Sequence, residues 1–221
     1  MLKFAITFTL VLPVLYCQVS QACDWAFEVR GGDTASELCV TIEKSADGIT
    51  YRSTYRDVKQ LYHYNMDNAM LRWKYADSGS QTLFTAKRRG GEILVSGTLR
   101  GQAVNKSMAA GAKVWLQNSE YGLLEFLKTK EKTREFVVIA PEDISIKKFR
   151  ATREAEEEIS WKGQKIRVVK LKARLRGFFS ILWQATYWYR LPEMTFLRYK
   201  ADGMPGVPKA DIQLVREKTV K

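Results

Sequence analysis

The sequence predicts an all-β protein in which one antiparallel sheet curls around its own apolar face and a single short helix closes part of the opening. Three observations carry this prediction: period-two or β-rich patterning along most of the chain, Gly, Asp, Asn and Pro turns at short intervals, and a scarcity of helical periodicity. Side chains alternate between the faces of a strand, so period-two segments bury one row and expose the other.

Candidate strands follow one another at 24–30, 37–44, 48–56, 60–65, 69–75, 81–88, 92–99, 113–116, 134–140, 144–157, 165–176, 180–190, 194–201 and 211–217. Ala46-Asp47-Gly48, Arg89-Gly90-Gly91 and Lys162-Gly163-Gln164 read as hairpin connections, and Met204-Pro205-Gly206-Val207-Pro208 as a longer, stiffer one. The helix candidate starts at Asn118-Ser119, whose short polar side chains can accept hydrogen bonds from exposed amides. It runs through Tyr121, Leu123, Leu124, Phe126 and Leu127 to Lys128. No linker or internal repeat divides the chain, so residues 23–221 are expected to form one domain.

Residues 1–22 read as a secretory signal peptide. Lys3 is their only charge, an apolar stretch runs from Phe4 to about Tyr16, and Ser20 and Ala22 suit the −3 and −1 positions of a cut. Pro13 interrupts the apolar stretch, which is too short for a permanent membrane helix, so a retained anchor is the weaker reading. Export, to a periplasm above all, leaves Cys23 and Cys39 as an even pair under oxidising conditions, and the expectation is a disulfide between them. The alternative makes Cys23 the lipid-bearing first residue of an outer-membrane lipoprotein, against which Ser20 argues.

The chain has 221 residues, 46% of them hydrophobic, with a formal charge of +12, one His and three Cys. It can bury a sizeable core, and its few imidazoles and thiols exclude multi-His metal sites, iron–sulfur clusters and disulfide-dense scaffolds. No metal and no cofactor is expected. Metalloprotease, nucleophile-elbow and phosphate-loop motifs are missing, which argues against an enzyme. Paired carboxylates have no sequence spacing rule, so Asp57, Asp67, Glu120 and Glu142 stay unassigned.

Phe149-Arg150-Ala151, Trp161-Lys162-Gly163-Gln164-Lys165-Ile166, Trp183-Gln184-Ala185-Thr186-Tyr187-Trp188-Tyr189 and Phe196-Leu197-Arg198-Tyr199 form a recognisable series. It resembles a family of secreted bacterial proteins of unknown function, with a Gly-turn hairpin, a strand ending in Trp-Tyr and a strand carrying Leu-Lys/Arg-Tyr. The resemblance covers about Gly48 to Val215. It implies the half-barrel of outer-membrane lipoprotein carriers: a strongly curved antiparallel sheet wrapping a helix and a hydrophobic pocket. It supplies no catalytic or binding residue.

Lys170, Lys172, Arg174 and Arg176 alternate with Val169, Leu171, Ala173 and Leu175, which sets four cations on one face of a strand. Such a row suits phosphates or sulfates, as on anionic envelope polymers or lipid headgroups, unless acidic neighbours use it up. With a three-residue turn at Lys162-Gly163-Gln164, Trp161 faces Lys165, Glu156 faces Lys170 and Glu154 faces Lys172. Arg174 and Arg176 then lie opposite Thr152 and Arg150. A two-residue turn reverses that parity.

Trp183, Ala185, Tyr187 and Tyr189 point one way on their strand and Trp188 the other, so both faces require cover; Phe178 and Phe179 lie nearby in sequence. His63 points away from Tyr62 and Tyr64. A sheet that covers only one of its own faces leaves an interior for side chains and a helix to fill, and any unfilled part favours apolar ligands. The expected function is therefore non-catalytic binding of a lipid-like or other hydrophobic molecule. The candidate cavity residues are Leu123, Leu124, Phe126, Leu127, Trp183, Tyr187 and Tyr189. A basic surface module and an assembly partner in the envelope are the alternatives, and nucleic acid is not an expected partner.

Overall fold

The structure is a computed structural model that describes residues 23–31, 34–177, 183–202 and 209–217. The proposed signal segment, Phe178, Phe179, the first residues of the 180–190 strand and the Met204–Pro208 connection lie outside the described residues.

Among the described residues, fifteen strands form one sheet. They are β1 (Trp25–Gly31), β2 (Thr34–Ser45), β3 (Gly48–Tyr55), β4 (Val58–Tyr64), β5 (Met70–Asp77), β6 (Thr82–Arg89), β7 (Glu92–Leu99), β8 (Gln102–Ala109), β9 (Val114–Trp115), β10 (Thr133–Ala140), β11 (Ser145–Trp161), β12 (Gln164–Leu175), β13 (Gln184–Arg190), β14 (Thr195–Ala201) and β15 (Ala210–Glu217). The spatial order runs from β8 down to β1, then from β15 down to β9. First and last strands thus pair in the middle of the sheet, antiparallel, with Phe27 opposite Leu214 and Val29 opposite Ile212. The sheet curves as a half-barrel and does not close.

Among the described residues, every strand pair is antiparallel except β9–β10. A parallel pair needs a crossover, and here the connection carries the helical residues. The expected single helix comes as two short pieces, α1 (Ser119–Gly122) and α2 (Leu124–Lys128). Asn118 begins the first, its Oδ1 accepting from the Tyr121 amide at 3.4 Å. Gly122, the last residue of α1, lies so close to Leu116 that an added Cβ would sit 2.8 Å from its Cδ2, so a larger residue there would displace Leu116. Leu123, Phe126 and Leu127 then anchor the segment in the core.

Among the described residues, two apolar clusters pack into the curve. The larger joins β1, β2, β11–β15 and the helical segment, around Phe27, Val40, Phe126, Leu171, Tyr189 and Phe196. The smaller joins β4–β8 to β9 and β10, around Tyr64, Trp73, Phe84, Ile93, Trp115 and Ile139. Across the unpaired seam, Lys106 of β8 donates to the Ile144 carbonyl at 2.7 Å and Arg100 to the Glu142 carbonyl at 3.3 Å.

β8 is the strand the sequence did not predict. Its burial is confined to Met108 and, partly, Val104, and Asn105-Lys106-Ser107 has the composition of a turn, as suits a polar edge strand. The β11–β12 register also differs from expectation. Trp161 pairs with Gln164 across a two-residue turn, Lys162 and Gly163 taking φ of 48° and 80°. A bulge at Glu154-Ala155 then shifts the ladder, so Glu156 faces Val169, Thr152 faces Lys172 and Arg150 faces Arg174. Glu154 nevertheless reaches Lys172 at 3.1 Å and Lys170 at 3.5 Å, diagonally.

Cys23 and Cys39 are disulfide-bonded. The bridge ties the chain just before β1 to β2, and the Asp24 carboxylate accepts from the Ile42 amide at 2.8 Å beside it. Closing a loop of this length removes about 3 kcal/mol of unfolded-state freedom. A Cys23→Ala/Cys39→Ala double variant is expected to lose about that much stability in urea unfolding; an unchanged midpoint would refute this role for the bridge.

Candidate functional site

The concave face is not filled solidly. A cavity of about 220 Å³ remains where β1–β4, β14 and β15 meet α1, lined by Phe27, Val40, Ser53, Tyr62, Glu120 and Phe196 among others. Strand alternation turns these side chains inward, since Phe27 pairs with Leu38, Val40 with Ser53 and Ser53 with Gln60 along one face. The space exceeds the ~150 Å³ of an apolar cavity known to hold benzene.

Tyr121 of α1 also borders a groove of about 530 Å³, whose wall includes Trp25, Ile42, Ile49, Tyr51 and Leu124. Its ring stacks on Trp25 at 5.1 Å and on Tyr51 at 4.5 Å. These three rings form the wall on the groove side, and the Cys23–Cys39 bridge fixes the chain two residues before Trp25. At the groove rim Glu125 is bound to Lys128 at 2.6 Å and to Asn68 at 2.8 Å.

Glu120 is the acid of this site. Burial pushes its carboxyl above the ordinary glutamate range, opposed only by its own backbone amide. No ion pair engages it among the described residues. Its surroundings are phenolic: burial raises Tyr62, Tyr64, Tyr121, Tyr189 and Tyr199, each raised further by the Glu120 charge. Tyr189 donates to the Glu120 carbonyl at 2.9 Å and Tyr64 to the Asn118 carbonyl at 3.3 Å, which fixes α1 on the sheet. The Tyr121 hydroxyl is buried with no hydrogen-bond partner among the described residues. Of the four unassigned carboxylates, Glu120 alone lines the cavity, whereas Asp57, Asp67 and Glu142 are exposed.

The residues expected at the cavity divide by location. Leu124 lines the groove. Leu123, Phe126, Leu127, Tyr187 and Tyr189 belong to the packed larger core, and Trp183 meets the Phe149 ring edge-on at 5.2 Å. Trp188 does point the other way, where Glu157 accepts from its indole at 3.3 Å and Arg198 lies over its ring. His63 points outward and meets Thr50 at 3.0 Å. Sequence reasoning missed Phe27, Val40, Ser53, Tyr62 and Phe196; alternation marks them as inward-facing, but no local signal marks the void beside them.

Three of the four cations in the basic row are engaged. Lys170 contacts Glu154 and Glu157, Lys172 contacts Glu154, and Arg176 contacts Glu135, while Arg174 is exposed. Glu135 also binds Lys113 and Arg150 at 2.8 Å each, and these cations hold its carboxyl down at about 2. Among the described residues no cluster of His, Cys, Asp and Glu suits a metal ion, and no helix is long and apolar enough to cross a membrane.

This curved, open all-β sheet has a solved counterpart of similar fold. The chain is similar in fold to a β-barrel-like protein of a domain of unknown function, DUF1849, from Brucella abortus, with a TM-score of 0.62 and 9% identity over 86% of this chain and 94% of that one. A match to the hypothetical lipoprotein YmcC of Escherichia coli has a TM-score of 0.43 and 11% identity, covering 89% of each chain. A lipoprotein described as putative, from Parabacteroides distasonis, matches at a TM-score of 0.31 and 9% identity, covering 89% of this chain and 94% of that one. No protein-family model and no curated protein matches the sequence.

Proposed function

We propose that this is an exported, non-catalytic protein that holds a lipid-like or other hydrophobic molecule in the hollow of its half-barrel. The observation that carries the reading is the unfilled cavity between α1 and the sheet, walled largely by aromatic and aliphatic side chains and bordered through Tyr121 by a larger groove. Burying apolar ligand surface there gains roughly 25 cal/mol per Å² without first displacing core side chains. Export accords with the Cys23–Cys39 bridge, a bond that persists in oxidising compartments such as the periplasm. Ion pairing of Lys170, Lys172 and Arg176 favours the interior over the basic row as the working surface.

Titration with two uncharged fluorescent apolar dyes at low and moderate salt tests the reading. Saturable uptake with a salt-insensitive midpoint is expected. Absence of uptake, or retention on heparin and anionic vesicles that vanishes at moderate salt, would contradict it.

A further inference from the structure

Glu120 combines three features that an ordinary core position does not. It projects from α1 into a cavity, it has no cationic partner among the described residues, and the aromatic residues Phe27, Tyr62, Tyr121 and Phe196 line the same space. A carboxylate drawn partly out of water and left without a counter-charge among the described residues is costly, and a cationic group in the hollow would offset that cost. The wall offers that group a defined chemistry. Aromatic faces carry negative quadrupole potential and attract cations, most strongly where water is excluded. The buried Tyr121 hydroxyl, without a hydrogen-bond partner among the described residues, adds an acceptor at the same wall.

Resting on the reading that the hollow takes a ligand, we propose that the cavity selects amphiphiles with an organic ammonium head, Glu120 supplying the counter-charge and the surrounding rings the cage. The alkyl portion extends past Tyr121 toward the groove, where Trp25, Ile42, Ile49 and Leu124 offer apolar contact. Binding a cation next to Glu120 favours its ionised form and reverses the effect of burial. Affinity for a quaternary ammonium therefore falls as pH drops through the raised Glu120 pKa, approaching tenfold per pH unit below it. The groups facing Glu120 from β4, α1, β13 and β14 are Tyr62, Tyr64, Tyr121, Tyr189 and Tyr199, all raised above the ordinary tyrosine range, so none titrates in that acid window.

Calorimetric titration with octyltrimethylammonium, 1-octanol and octyl sulfate separates the possibilities. The expected result is at least a roughly tenfold preference for the ammonium over the alcohol, lost at acid pH and brought near unity by Glu120→Gln, the size of a charge-assisted contact. Should the variant fail to fold, the pH profile of the wild-type protein decides the matter by itself. Equal binding of all three probes, or an ammonium affinity flat from pH 7 to pH 4, would overturn the ammonium assignment and leave the apolar hollow standing. Failure of every probe to bind would overturn both.

Discussion

Replacing Val40 with Phe is expected to abolish uptake of apolar probes while leaving the protein folded. Val40 is 2% exposed, lines the cavity, and sits on β2 between Trp25 of β1 and Ser53 of β3. A phenyl ring at this position has vacant space to enter, so it adds apolar contact where overpacking would otherwise cost about 1–3 kcal/mol. The same ring occupies the volume a ligand needs. Probe affinity should fall by at least about tenfold, the equivalent of 1.4 kcal/mol, with a thermal midpoint equal to or above that of the parent. Fluorescence titration paired with calorimetric melting checks both parts. Undiminished affinity in a well-folded Val40→Phe protein would place the ligand elsewhere.

The largest stability loss is expected from Phe126→Ala. The Phe126 side chain is fully buried in the larger cluster, and the guanidinium groups of Arg134 and Arg153 lie 5.3 and 5.6 Å from its ring centre. Arg153 also donates to the Phe126 and Leu127 carbonyls, satisfying the end of α2. Truncation removes the aromatic anchor of the helical segment and leaves a cavity, a combination that costs about 3–5 kcal/mol. Because α2 is so short, the loss should extend to α1 and bring Glu120 and Tyr121 into faster amide exchange. Urea unfolding gives the magnitude and hydrogen exchange the location. A loss under about 1 kcal/mol would show that the helical segment is not held by this residue.

Strand alternation explains why so much of the fold was legible. Leu171, Ala173, Tyr187 and Tyr189 face inward while Lys170, Lys172 and Trp188 face outward, as period two requires. Turn chemistry located the hairpins for the same local reason, as at Gly90, whose φ is +58° in the turn between β6 and β7. Local patterning weakened where an element is stabilised by its neighbours. β8 reads as loop because one strand pairing and the seam contacts of Lys106 and Arg100 hold it, with little apolar burial of its own. The Glu154-Ala155 bulge was invisible because one inserted residue leaves no compositional mark in a run of glutamates.

The cavity was harder still to read. Leu123, Phe126 and Tyr189 looked like lining because they are apolar and face the concave side, yet such residues are also what fills a core. The void depends on how β1, β2, β3, β14 and α1 approach one another over long sequence separations. Only the folded arrangement distinguishes Val40, beside a hollow, from Leu171, packed on all sides.

A crystal structure of the protein with a bromine-terminated alkyltrimethylammonium probe, phased by the anomalous scattering of bromine, tests the central claim most directly. The ammonium head should appear against Glu120, Tyr62 and Phe196, with the bromine peak beyond Tyr121 beside Trp25 and Leu124. A head resolved elsewhere in the hollow would remove only the ammonium assignment. Bromine confined to the outer face of the sheet, or an interior closed by side chains with no probe inside, would contradict ligand binding in the half-barrel.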